Sequence, residues 1–298
     1  MESLNWQMFM SKQYLIIVIL LVQFSVNGQT PISGCLVDAS DRKPLPYANI
    51  SVAGKRIGTV SDGNGRFRLD GAGILHHDTL IIHYLGYKMQ ILPVGLLPPQ
   101  CLAYCEVSLE RDSLVLSEVL VSGYRLKGKT VKVGNGPEIS YPLEVAVGDT
   151  GFMGQELGVM IRSPIKKAYL KEVVIGISKC VTEKAEFKLN VYTRSPQPKH
   201  LFDFIPVPSA EPILFTVLPE HEQVGIKLDL EQYHLEVGKN FMITIQTVHP
   251  TDPNTNVVQI YNSINAKHQN VVGYFGQLWE VLGVKPATGM AVQAILEY

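Results

Sequence analysis

No stretch of this chain is apolar for the roughly eighteen residues that a membrane-spanning helix needs, and no long segment carries a 3.6-residue hydrophobic period. Neither sign of charge dominates. With 26 basic and 27 acidic residues the net charge is -1, no basic stripe emerges, and nucleic acid is not expected as a partner. Cysteine is scarce: Cys35, Cys101, Cys105 and Cys180 stand at no diagnostic spacing. Cys101 could bridge Cys105, or one of them could reach Cys35; free buried thiols are equally compatible.

Signatures of catalysis are missing as well. No G-x-S-x-G elbow, phosphate-binding loop or dinucleotide fingerprint follows a strand pattern. His221-Glu222-Gln223-Val224-Gly225 begins like a zinc-protease helix, but Gly225 stands where the second histidine must be. Asp62-Gly63-Asn64-Gly65 looks like the start of a calcium loop, but Arg66 occupies an oxygen-ligand position, so a turn is expected. His76-His77-Asp78 is read as a surface loop rather than a metal site. The expectation is a protein that is not an enzyme and needs no cofactor and no metal.

What the chain does contain is alternation. After Lys12, residues 14–25 form an apolar run of about twelve, too short to span a bilayer and suited to the core of a signal peptide over residues 1–28, with cleavage before Gln29. Export is therefore expected. From Ile32 onward, short period-2 segments are separated by proline- and glycine-rich turns, the pattern of a β-sandwich. Ser61 to Gly65 reads as a tight hairpin turn, and Leu80–Tyr84 and Lys88–Val94 as a strand pair joined through Gly86-Tyr87.

These residues carry a resemblance. Gly34, Asp38, Pro44-Leu45-Pro46, Ala48, Ile50 and Val52 open the pattern; Gly58-Thr59, Ser61-Asp62, Gly65, Phe67 and Leu69 continue it; Asp78, Leu80, Ile82, Tyr84 and Gly86-Tyr87 close it. In order and spacing this resembles the carboxypeptidase-regulatory-like domain, over about eighty residues. The resemblance implies a transthyretin-like sandwich of seven strands, with no peptidase residues, of the kind found at the N-terminus of TonB-dependent receptors in the Gram-negative envelope. Leu114 to Tyr124 is similar to the segment that follows that domain in such receptors. Ile32-Ser33-Gly34-Cys35 is also similar to a lipobox, which would make Cys35 a lipid anchor. Pro31 and the long gap from the apolar run fit that processing poorly, and the strand pattern already uses these positions.

The organisation expected is all-β, in two antiparallel β-sandwiches. A carboxypeptidase-regulatory-like sandwich takes residues 29–124, a basic glycine-rich linker 125–138, and a second, jelly-roll-like sandwich 139–298. In the second, apolar residues alternate with polar ones around Val173, Phe187, Val224, Phe241 and Met290. They place Ile175, Phe187, Leu189, Val191, Ile226, Phe241 and Ile243 in its core. Glu156-Leu157-Gly158 and Phe187 to Tyr192 loosely resemble the C-terminal part of stand-alone proteins carrying this domain, which implies no activity. A small outer-membrane barrel is the alternative architecture, against which the proline-rich stretches 195–212 and 249–256 weigh.

Function is expected to be binding or scaffolding for an envelope protein or glycan partner, in the periplasm, outer membrane or at the cell surface. Membrane association and oligomeric state stay open. Tyr261, Tyr274 and Trp279 are the candidate ligand-facing aromatics for stacking on a sugar, with filling of the sandwich core as the competing role for Trp279.

Overall fold

The computed structural model describes residues 31–98, 104–112, 128–136, 145–147, 154–198, 203–209, 211–248, 258–264, 266–274, 278–281 and 288–298. The expected signal segment, Cys101 and residues 114–124 lie outside them. Regular structure in the described residues consists of strands and short 3-10 turns.

Seven strands build the first sandwich: β1 (Ile32–Asp38), β2 (Asn49–Val52), β3 (Gly58–Val60), β4 (Arg66–Leu69), β5 (Thr79–His83), β6 (Gln90–Pro93) and β7 (Cys105–Leu109). One sheet runs β4-β1-β7 and the other β3-β2-β5-β6. Leu36, Ile50, Ile82 and Leu109 meet between them and are wholly buried. The pairing is antiparallel except between β1 and β7, which run parallel, Gly34 beside Cys105 through Asp38 beside Leu109. The turn at Ser61–Gly65 is tight, but it is not a hairpin. It carries the chain from β3 in one sheet to β4 in the other. Asp62 Oδ1 accepts hydrogen bonds from the Asn64 and Arg66 amides at 2.8 Å each. Gly65 closes the turn at φ +74°, where a side chain would come within 2.6 Å of the Leu36 carbonyl oxygen.

Asp38 shows why the motif needs its acid and its Gly-Tyr pair. The carboxylate is buried at the end of β1. Its Oδ1 accepts from the Ser40 amide and hydroxyl, and its Oδ2 from the Tyr87 hydroxyl and Arg111 Nε, the last two at 2.6 Å. One side chain thus ties together β1, the turn after β5 and the exit of β7. The Ser40 hydroxyl, the Tyr87 hydroxyl and Arg111 hold its pKa well below the usual carboxylate range. A depressed folded pKa stabilises the fold above the unfolded value of about 4, and the stabilisation is lost as the pH falls below it. Asp38→Asn is therefore expected to lower the unfolding temperature at pH 7, and the gap to the parent should narrow steadily as the pH falls below 4. A gap of equal width at pH 7 and pH 3 would contradict this.

The second sandwich begins earlier than its sequence implied. β8 (Thr130–Gly134), within the segment read as linker, pairs with the last strand as a sheet edge. There follow β9 (Val145–Val147), β10 (Gln155–Ile175), β11 (Ile177–Cys180), β12 (Ala185–Arg194), β13 (Phe204–Pro206), β14 (Ile213–Val217), β15 (Ile226–Asp229) and β16 (Glu236–Thr247). The chain closes with β17 (Val258–Ile260), β18 (Asn262–Ile264), β19 (Gln269–Tyr274), β20 (Leu278–Val281), β21 (Thr288–Met290) and β22 (Val292–Glu297).

β10 organises this half. Its first part pairs with β16 and β19, its last part with β15 and β22, and its register shifts at Arg162/Lys167 and Leu170/Glu172 let one strand serve both layers. All seven expected core residues lie in one apolar cluster, with Phe241, Ile243 and Ile175 wholly buried. Val224, expected on the inner face beside Ile226, is instead 81% exposed. Positive φ at Gln223 and Gly225 makes a turn there and delays the strand to Ile226. Facing away from the core, Lys171, Glu172, Lys227 and Asp229 form a charged surface, with Lys227 paired to Glu172 at 2.5 Å. An apolar interior under a charged exterior is the reverse of a membrane barrel.

Alternation would leave the other face of β12 and β16 in water. Yet Thr244 and Gln246, with Glu156 beside them on β10, are wholly buried, and Asn49 and Ser51 on β2 are buried too. The two sandwiches pack against each other there. Gln246 Nε2 donates to Asn49 Oδ1 at 2.7 Å, Lys188 Nζ to the Tyr47 carbonyl at 3.0 Å, and Arg56 pairs with Glu280 at 2.5 Å.

Candidate functional site

Two concave features stand out in the described residues. The larger, of about 530 Å³, lies on the flank of the first sandwich, between β6 with its following turn and β7. These are the end strands of their two sheets. Leu92, Leu96, Leu97, Tyr104 and Val107 line it. Leu96 is 80% exposed and Tyr104 53%, and Met89 and Ile91 are exposed on the adjoining outer surface. Edge strands invite addition of a further strand, but both edges here are modified. Pro93 removes a backbone donor from β6, and Arg42 ties up Glu106 and Ser108 on β7. The groove therefore offers apolar side-chain pockets more than a free backbone ladder.

The smaller feature, about 200 Å³, lies between the sandwiches, among His83 and Tyr84 of the first and Lys188, Asn190 and Tyr192 of the second.

The three sugar-stacking candidates fall in different places. Tyr261 is half-buried between β17 and β18, its ring against Gly176 and its backbone bonded to Gly176 and Ala291. Tyr274 and Trp279 lie on the β19–β20 ribbon. The register pairs Tyr274 with Leu278 and Trp279 with Gly273, so the two positions fall on opposite faces. The surroundings of their side chains lie outside the described part.

The other sequence candidates have structural work. The His221 ring accepts from the Leu218 amide at 2.9 Å, and Glu222 accepts from the Cys180 amide at 3.2 Å. Asp78 is bound by Lys55 at 2.5 Å and by the Leu75 amide at 2.6 Å. Among the described residues, no three histidine, cysteine or acidic side chains gather to hold a metal. Cys35 is buried in the middle of β1, flanked by Arg66 and Glu106 on the neighbouring strands, and cleavage before it would remove paired residues 32–34. Cys35 and Cys180 are free thiols, and Cys105 is in a disulfide. The edge groove was missed because being an edge is a property of sheet order. The exposed pair Met89 and Ile91 beside Pro93 was the one local sign of it.

The chain is 32% identical over 96 residues to the TonB-dependent receptor SusC of Bacteroides thetaiotaomicron, covering 32% of this chain and 8% of that one. It is 28% identical over 162 residues to TonB-dependent receptor P3 of Formosa agariphila, covering 51% of this chain and 15% of the receptor. The match thus spans a small fraction of either relative. Among solved structures, the cysteine protease and lectin-like domains of Cwp84, a surface layer associated protein of Clostridium difficile, overlap at TM-score 0.32 and 10% identity. That overlap covers 49% of this chain and 32% of that one, a likeness too slight to bear on the fold. Residues 32–121, which include all seven strands of the first sandwich, match the CarboxypepD_reg-like domain.

Proposed function

We propose that this chain is an exported, non-enzymatic module of the cell envelope that holds a protein partner in the apolar groove between β6 and β7. The observation that carries the reading is the groove itself, with Leu96 and Tyr104 exposed between two end strands on a flank away from the interdomain contact. Apolar surface of this kind, with polar Gln90, Glu106 and Ser108 beside it, is what protein interfaces use. Similarity to TonB-dependent receptors supports the envelope as the compartment. The disulfide at Cys105 supports an oxidising one. A partner segment with two or three apolar side chains would fill the groove, with the second sandwich as a rigid base.

The test places a photo-crosslinking amino acid at Ile91 or Leu96, and at Lys227 on the charged face of the second sandwich, in a native-type Gram-negative host. Discrete adducts from positions 91 and 96 in the envelope fraction, absent at 227, are expected. No adduct at 91 and 96, or the same adducts at all three, would overturn the reading.

A further inference from the structure

The cleft between the sandwiches holds two basic side chains with spare donors. His83 lies on β5 opposite Asn49, and its ring makes no hydrogen bond among the described residues. Lys188, from β12 of the other sandwich, uses one of its three N–H groups on the Tyr47 carbonyl. Both are half-buried and line the same cavity of about 200 Å³. The neighbouring negative groups are engaged or peripheral: Glu211 is exposed at the rim, and the Glu156 carboxylate lies under Tyr192, whose hydroxyl bonds it at 2.8 Å. We propose that this cleft is a binding site for the carboxylate of a small molecule, held between His83 and Lys188 with Asn190 and Tyr84 against its body.

Two further facts support the assignment. Burial, and then the charge of Lys188, push the His83 pKa down, and burial pushes Lys188 down to about 8. Glu156 offsets only part of this at Lys188 and nothing offsets it at His83, so a carboxylate in the cleft would favour the protonated form of both and accept charge-assisted hydrogen bonds from them. The cavity is smaller than the roughly 300–1,000 Å³ of drug-sized sites, so it admits one small ring or an amino-acid-sized body. The site draws on both sandwiches and is distinct from the edge groove.

The test uses the whole chain and two pairs of probes at constant ionic strength: glucuronate against glucose, and N-acetylalanine against its amide. The His83 ring resonances and their titration are followed by NMR. Saturable shifts with the acid of at least one pair, an upward move of the His83 pKa on binding, and loss of binding by tenfold or more in Lys188→Met and His83→Phe are expected. Which acid binds tells a sugar acid from an amino-acid carboxylate. His83→Phe breaks no hydrogen bond of the fold, so it decides the matter should Lys188→Met loosen the interface. Equal shifts with acid and neutral partner, no saturable shift with any probe at 50 mM, or full binding by His83→Phe would overturn the assignment.

Discussion

Gly158→Ala is expected to cost the second sandwich about 3 kcal/mol, a large part of a domain's stability, and to move its unfolding to clearly lower denaturant. Gly158 lies where β10 runs between β16 and β19, opposite Thr244 on one side and Val271 on the other. A methyl group there would come within 2.1 Å of the Ile243 carbonyl oxygen and 2.6 Å of the Thr244 Cα. Both are backbone atoms of the most buried strand in the domain, so relief means moving β16 itself. β16 carries Phe241, Ile243 and Ile245 into the core on one face and Thr244 and Gln246 into the interdomain contact on the other. A shift of either face breaks something. Gly238→Ala is the control on the same strand pair, because its new methyl would come no closer than 3.1 Å to any atom, and that atom is the Thr193 hydroxyl, a side chain that can give by a few tenths of an ångström while still accepting from the Gly238 amide. It should cost under about 1 kcal/mol. Urea unfolding followed by circular dichroism separates the two, and equal midpoints for both variants would contradict the close approach.

The alternation that revealed the strands also revealed one face of each. Phe187, Leu189 and Val191, or Val292, Ala294 and Leu296, could only be an inward row, and they are. What alternation does not report is whether the opposite face meets water or another domain. Thr244 and Gln246 on β16 read as solvent-facing and are wholly buried, while Lys227 and Asp229 on β15 read the same way and lie on a charged outer surface. Between these two strands the difference was present in residue type: the covered face of β16 carries Met242, Thr244 and Gln246, the solvated face of β15 full charges. β8 reads as linker because Val131 and Val133 alternate with Thr130 and Lys132 over only five residues, and its pairing partner stands more than 150 positions later. The interdomain cleft escaped for the same reason. His83 and Lys188 are 105 positions apart, and nothing local marks either as half of a pair.

Glu156 is where the covered face is most sensitive. Its carboxylate has no exposure and accepts from the Tyr192 hydroxyl at 2.8 Å and from the Thr244 hydroxyl at 2.5 Å. Glu156→Ala takes that acceptor from both hydroxyls and opens a void beneath the first sandwich. A loss of about 2–5 kcal/mol is expected. Glu156→Gln keeps an oxygen for one hydroxyl and removes the charge, which separates the hydrogen bonds from the ionisation. Burial pushes the Glu156 pKa up, against the lowering effect of the Thr244 and Tyr192 hydroxyls. For an acid held above its unfolded value of about 4.3, the folded state keeps its proton longer, so stability falls as the pH rises past that value. This is opposite in sign to Asp38, whose contribution fades as the pH drops. The unfolding temperature of Glu156→Gln should therefore gain on the parent from pH 5 to pH 8, while that of Glu156→Ala stays below both throughout. A flat difference between Glu156→Gln and parent over that range would mean that the carboxyl ionises as freely in the fold as out of it. The interface would then be wet at Glu156, and the two sandwiches would not be sealed together there.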